Sequence, residues 1–90
     1  MSDTIAAMIT RKGITREKFA KHVGVSVRAL YFITQGIVEP RNETIMRMAS
    51  GLNTGPREIV QAIIVARRAA KHDVEHLENL LDYLTIYQPF

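Results

Sequence analysis

Residues 16–35 read REKFAKHVGVSVRALYFITQ. Apolar and small residues fall at helical spacing on either side of one glycine. Phe19, Ala20 and Val23 precede Gly24; Val25, Leu30 and Ile33 follow it. Ala20 is small enough for two helices to cross closely, where a larger side chain would hold them apart. Gly24 stands where a tight turn needs positive φ, which costs any residue with a Cβ energy. Ser26 is placed to cap the following helix by accepting a bond from its free N–H groups. The stretch therefore predicts two short helices locked about a turn. Such a pair projects its second helix outward, and an α-helix fits the major groove of DNA. A plain helical hairpin would also need apolar anchors. The small residue, the glycine, the cap and the anchors falling together in register favour the first reading.

Outward from this stretch the apolar spacing stays helical and no strand pattern appears. A first helix is expected from about Asp3 to Lys12, with Ile5, Met8 and Ile9 inward and Gly13 ending it. Thr15 caps the second helix, about 16–23. The third, about 27–35, ends at Gly36. Pro40 keeps the residue before it out of helix, so 37–41 reads as a loop. Asn42 is expected to cap a fourth helix that buries Ile45, Met48, Ala49 and Leu52. Pro56 suits the first position of a fifth, where its missing N–H costs nothing. Ile59, Val60, Ile63 and Ile64 are that helix's apolar face. Beyond Arg67 an apolar line continues through Ala70, Val74, Leu77, Leu81 and Leu84, with a break expected near Lys71-His72-Asp73 and Asp73 as the next cap.

Ninety residues make one domain with a short appendage, and bury a modest core. Without cysteine there is no disulfide framework and no thiolate metal site. The N-terminus lacks a charged-then-apolar signal pattern, and the longest apolar run, Ala62 to Ala66, is too short to span a bilayer. A cytoplasmic protein with no membrane partner is the expectation. The net charge of +3 is unevenly spread. Residues 1–60 hold nine Lys and Arg against five Asp and Glu; residues 61–90 hold three against four. The basic excess lies on the part that carries the two-helix pattern, as a polyanion-binding face requires.

Residues about 5 to 60 resemble the helix-turn-helix domains of the phage lambda repressor and Cro type, the XRE family. The resemblance rests on the 16–35 stretch, Gly36 with Pro40 four residues on, the segment from Glu43 to Leu52, and the Pro56-Arg57-Glu58-Ile59-Val60 helix opening. It implies an all-α fold: a five-helix lambda-repressor-like domain whose third helix reads DNA, here over residues 1–66; the added C-terminal helical segment over 67–90 exceeds the minimal domain and is read from its apolar spacing alone. It also implies a transcriptional regulator that binds inverted repeats of double-stranded DNA as a dimer, without a cofactor. The chain departs from the pattern in having Arg16 where the family usually has Gln, and Thr34-Gln35 where it usually has Glu-Asn. Arg16 still suits a phosphate. Loss of the glutamate removes a structural hydrogen bond and leaves the DNA role intact.

Base edges are met by the N-terminal part of a recognition helix. With Leu30 and Ile33 committed inward, Val27, Arg28, Tyr31 and Phe32 are the base-reading candidates. A guanidinium such as that of Arg28 bonds guanine O6 and N7 together. Val27 and Phe32 suit thymine methyl groups. Tyr31 and Phe32 are adjacent and cannot both point inward. Phosphate contacts are expected from Arg16, Gln35, Arg41 and Asn42, with Arg11, Lys12 and Lys21 weaker candidates.

The wide C-terminal stripe, with Val74, Leu77, Leu80, Leu81 and Leu84 at its centre, is expected to form a homodimer interface. The competing readings are that this helix folds back to complete the monomer core, or that it binds a protein partner, as in a toxin-neutralising, self-regulating antitoxin. His72-Asp73-Val74-Glu75-His76 nearly matches a zinc-protease helix motif, but no third ligand is apparent and no metal site is expected. His22 has no acid or thiol arranged for nucleophilic catalysis, no glycine-rich phosphate loop is present, and no enzymatic activity is expected.

Overall fold

A computed structural model describes residues 4–87, and among these every regular element is an α-helix. In chain order they are α1 Ile5–Lys12, α2 Arg16–Val23, α3 Val27–Thr34, α4 Asn42–Leu52, α5 Pro56–Ala69 and α6 Glu75–Tyr87. Asp3, expected to open the first helix, lies outside the described residues; Thr4 caps α1, its hydroxyl accepting from the Ala7 N–H at 3.0 Å.

Helix ends follow local chemistry. The Thr15 hydroxyl accepts from the Lys18 N–H at 3.1 Å and the Ser26 hydroxyl from the Ala29 N–H at 3.0 Å. Each satisfies one of the donors a helix start leaves open. Gly24 ends α2 at φ +88°, and the N–H groups of Gly24 and Val25 both donate to the Ala20 carbonyl. α3 stops at Thr34, one residue earlier than expected, with Gln35 as its C-cap. Pro56 opens α5.

Two expected caps are displaced by one residue. Arg41, extended after Pro40, holds the N-cap position of α4 without a side-chain bond, and Asn42 is the first helical residue. The Asn42 Oδ1 instead lies 3.2 Å from the His76 Nε2 of α6. Before α6, Asp73 sits one residue too early to cap it. The Val74 carbonyl accepts the Glu78 N–H, while the Asp73 Oδ1 accepts from the Glu75 N–H at 3.4 Å. The break itself falls where the sequence places it: Lys71 turns the chain at φ +62°.

One core runs through all six helices. Phe19, Ala20, Val23, Leu30 and Ile33 are buried, as are Ile45, Met48, Ala49 and Leu52 of α4. α5 is the central post. Ile59, Val60, Ala62, Ile63 and Ile64 are all buried on it, and α1, α3, α4 and α6 pack against it. α6 folds back onto it, so Leu77 and Leu84 have no exposed surface. This corrects the expectation that these two leucines meet a partner. A helix apolar around most of its girth needs cover on both sides, and the turn at Lys71 brings the C-terminal stripe to the open side of α5. Val74, Leu80 and Leu81 are half-buried against the same core. The boundary expected at 66/67 falls inside α5, and the two segments share their apolar interior.

Candidate nucleic-acid interface

The helix-turn-helix presents α3 with Leu30 and Ile33 inward, and this fixes what its other residues face. A cleft of about 370 Å³ opens where α3 faces α1 and the start of α2, lined by Ala6 and Ile9 of α1, Arg16 of α2, and Val27, Arg28, Leu30, Tyr31, Thr34 and Gln35. Five of the eight DNA-contact candidates named from sequence therefore share one concave surface: Arg16, Val27, Arg28, Tyr31 and Gln35. All five are exposed, and Tyr31 keeps 49% of its surface in solvent.

The electrostatics favour an anion. The cleft is lined by the first residue of α2 and the first two of α3, so two helix N-termini with open N–H groups meet it. Among the described residues no carboxylate lines it. Among the described residues, Arg16, Arg28 and Arg41 make no ion pair, so their charge is not already neutralised by the protein. The Arg28 guanidinium lies 5.4 Å over the Phe32 ring, a cation–π contact that holds the long side chain along α3.

The other three candidates lie elsewhere. Phe32 is half-buried and off the cleft; its ring centroid is 5.9 Å from that of Tyr31, so of the adjacent aromatics Tyr31 is the exposed one. Phe32 serves as the support beneath Arg28. Arg41 and Asn42 open α4 and do not line the cleft, although both are exposed. The Asn42 side chain is already engaged by His76.

The near-metal motif comes apart in three dimensions. His72 lies in the connection before α6 and His76 on it, so the two are not one turn apart on a single helix. Among the described residues no group of three or more His, Cys, Asp or Glu converges. Likewise, no helix of the described residues is long and apolar enough to cross a membrane.

Sequence reasoning passed over Arg67. It is 9% exposed. Its Nε donates to the Asp73 carbonyl at 2.9 Å and its Nη1 to the Gly36 carbonyl at 3.3 Å, with Glu39 Oε1 4.0 Å away. A charged residue at a buried position of α5 was the available signal, since such a group needs polar partners.

A family model described as Helix-turn-helix matches residues 5–59, from the start of α1 into α5, and spans both helices of the motif and the cleft. No curated protein and no solved structure matches the chain. Members of the matched family are DNA-binding regulators and are not typically enzymes. With more than half of its length matched, and the motif's turn, cap and buried anchors in place, the chain belongs to the helix-turn-helix family of the phage lambda repressor (XRE) type, a family of DNA-binding transcription regulators.

Proposed function

We propose that this protein is a transcriptional repressor that binds an inverted-repeat operator as a homodimer and acts by covering the site against polymerase. One observation carries the DNA-facing part: Arg16 and Arg28, which make no ion pair among the described residues, and the starts of two helices meet on one cleft that no described carboxylate lines. In this reading α3 enters the major groove. Arg28 bonds a guanine edge, Val27 packs on a thymine methyl, and Tyr31 touches a base or its phosphate. Arg16, Gln35 and Arg41 hold the backbone, giving affinity and salt dependence but little sequence information.

The dimer rests on a second consideration. One recognition helix reads too few base pairs to mark a unique genomic site, and two-fold pairing doubles the half-sites read. With Leu77 and Leu84 buried, the surface for pairing moves to the apolar residues that α6 leaves exposed. Tyr83, Ile86 and Tyr87 are each more than half exposed, and the two tyrosine rings lie 4.7 Å apart. An apolar group of this kind at the end of a helix marks an interaction surface.

Selection of bound sequences from a random duplex library tests the whole reading. The expected outcome is an enriched inverted repeat, with half-sites about one helical turn apart centre to centre. Enrichment of single, unpaired half-sites would overturn the dimer, and no enrichment above the input library would overturn sequence-specific binding.

A further inference from the structure

The first two-thirds of the chain carry the family's motif, yet one residue beyond the matched segment reaches back to the end of the recognition helix. Arg67 is buried on α5, and its guanidinium spans two loops. Through Nη1 it holds the carbonyl of Gly36, the second residue after α3; through Nε it holds the carbonyl of Asp73, just before α6. Glu39, in the same loop as Gly36, has its carboxylate 4.0 Å away. Gly36 itself lies directly on α5, where a Cβ would come 2.4 Å from the Ala66 carbonyl group. A second link runs parallel to the first, where His76 of α6 meets Asn42 at the start of α4.

The residues so held flank the proposed DNA surface. Gln35, on the cleft, immediately precedes Gly36. Arg41 and Asn42 follow the loop. The Gly36, Ile37 and Val38 N–H groups all turn back to carbonyls of α3, at Ile33 and Phe32. The loop is thus bonded to the recognition helix on one side and to Arg67 on the other. A planar fork with fixed donor directions sets the separation of the two carbonyls it bridges, which a flexible ammonium does not do.

We propose that Arg67 is a positioning residue for DNA binding: it couples the seating of α6 to the placement of the α3–α4 loop, and so to the phosphate contacts made by Gln35 and Arg41. This rests on the DNA-binding reading above. Coupling is reciprocal, so DNA held by α3 and its loop must also steady the connection between α5 and α6.

The test is hydrogen exchange on the full chain, with and without a random-sequence duplex three helical turns long, at low salt. In the wild type, DNA is expected to slow exchange within α3 and also at Ala70, Lys71 and His72, whose N–H groups bond to the Ala66, Arg68 and Arg67 carbonyls. Arg67→Lys, which keeps the charge and loses the fork, is expected to keep the slowing in α3 and lose it at 70–72. Its affinity for the same duplex is expected to fall about tenfold, with a salt slope shallower by about one charge. Slowing confined to α3 in the wild type would overturn the coupling, whatever the stability of the variant. So would a folded Arg67→Lys that retains the wild-type salt slope and the slowing at 70–72. Failure of the wild type to bind the duplex at low salt would instead remove the DNA reading, and this proposal with it.

Discussion

Two glycines with the same backbone conformation should respond very differently to the same substitution. Gly13 and Gly36 both end helices in the left-handed region, at φ +76° and +77°. A Cβ on Gly13 would meet nothing within 4 Å, so Gly13→Ala carries only the conformational penalty of a left-handed alanine. That is about 1 kcal/mol. A Cβ on Gly36 would stand 2.4 Å from both the carbonyl carbon and oxygen of Ala66 and 2.7 Å from the Arg67 nitrogen. These are backbone atoms of α5 and cannot swing aside. Relief requires the loop and the helix to part, which also pulls the Gly36 carbonyl away from the Arg67 Nη1. Adding overpacking and the loss of a buried bond to the conformational term brings Gly36→Ala to about 4 kcal/mol. For a domain of this size each kcal/mol lowers the melting temperature by about 4–8 °C. Thermal unfolding followed by circular dichroism should therefore place Gly13→Ala a few degrees below the wild type and Gly36→Ala at least ten degrees lower again. Equal melting temperatures for the two variants would refute the claim that the α3–α4 loop is seated on α5.

The remaining expectations concern the motif, the interface and α6. Ser26→Ala should destabilise by about 1 kcal/mol in urea unfolding, because the Ala29 N–H loses its acceptor; no change would mean that water caps α3 equally well. On the selected operator, Arg28→Ala should weaken binding by about 1–3 kcal/mol and relax preference at one position per half-site. Arg16→Ala should weaken binding to all duplexes alike and reduce the salt slope by about one, so a position-specific effect at Arg16 would reverse the two assignments. Leu77→Asp would put a carboxylate into the core and should unfold the chain, whereas Tyr83→Asp with Ile86→Asp should leave helicity intact. If the proposed dimer uses that surface, the double variant sediments as a monomer and loses operator affinity; an unchanged sedimentation coefficient would exclude the surface.

The sequence alone determined where the helices of the motif begin and end to within a residue, and the apolar face that each of the first five buries. Thr15, Ser26 and Pro56 act within one turn of themselves, and Gly24 adopts its conformation for a steric reason that needs no distant partner. The cleft was legible in part for the same reason: once Leu30 and Ile33 are inward, helix geometry alone turns Val27, Arg28 and Tyr31 out. That periodicity does not say which flank of the outward face is covered, so Phe32 reads from sequence as a DNA contact, while in the fold it lies off the cleft beneath Arg28.

Tertiary structure decided what covers the C-terminal stripe. An amphipathic helix announces that one face must leave water, but a second copy of the chain, another protein and the chain's own core all satisfy that demand equally. Leu77 and Leu84 went to the core because α5 still had an open apolar side within reach of the turn at Lys71. The same distance from local rules hid Arg67, whose acceptor at Gly36 lies 31 residues away, and the meeting of Asn42 with His76. The periodicity of α5 marks Arg67 as a charge on a buried face, but nothing near it names its acceptors, and nothing beside Asn42 or His76, both exposed, shows that the two meet. The seating of the α3–α4 loop on α5 brings Gly36 to Arg67, and the packing of α6 onto α5 brings Asp73 to Arg67 and His76 to Asn42.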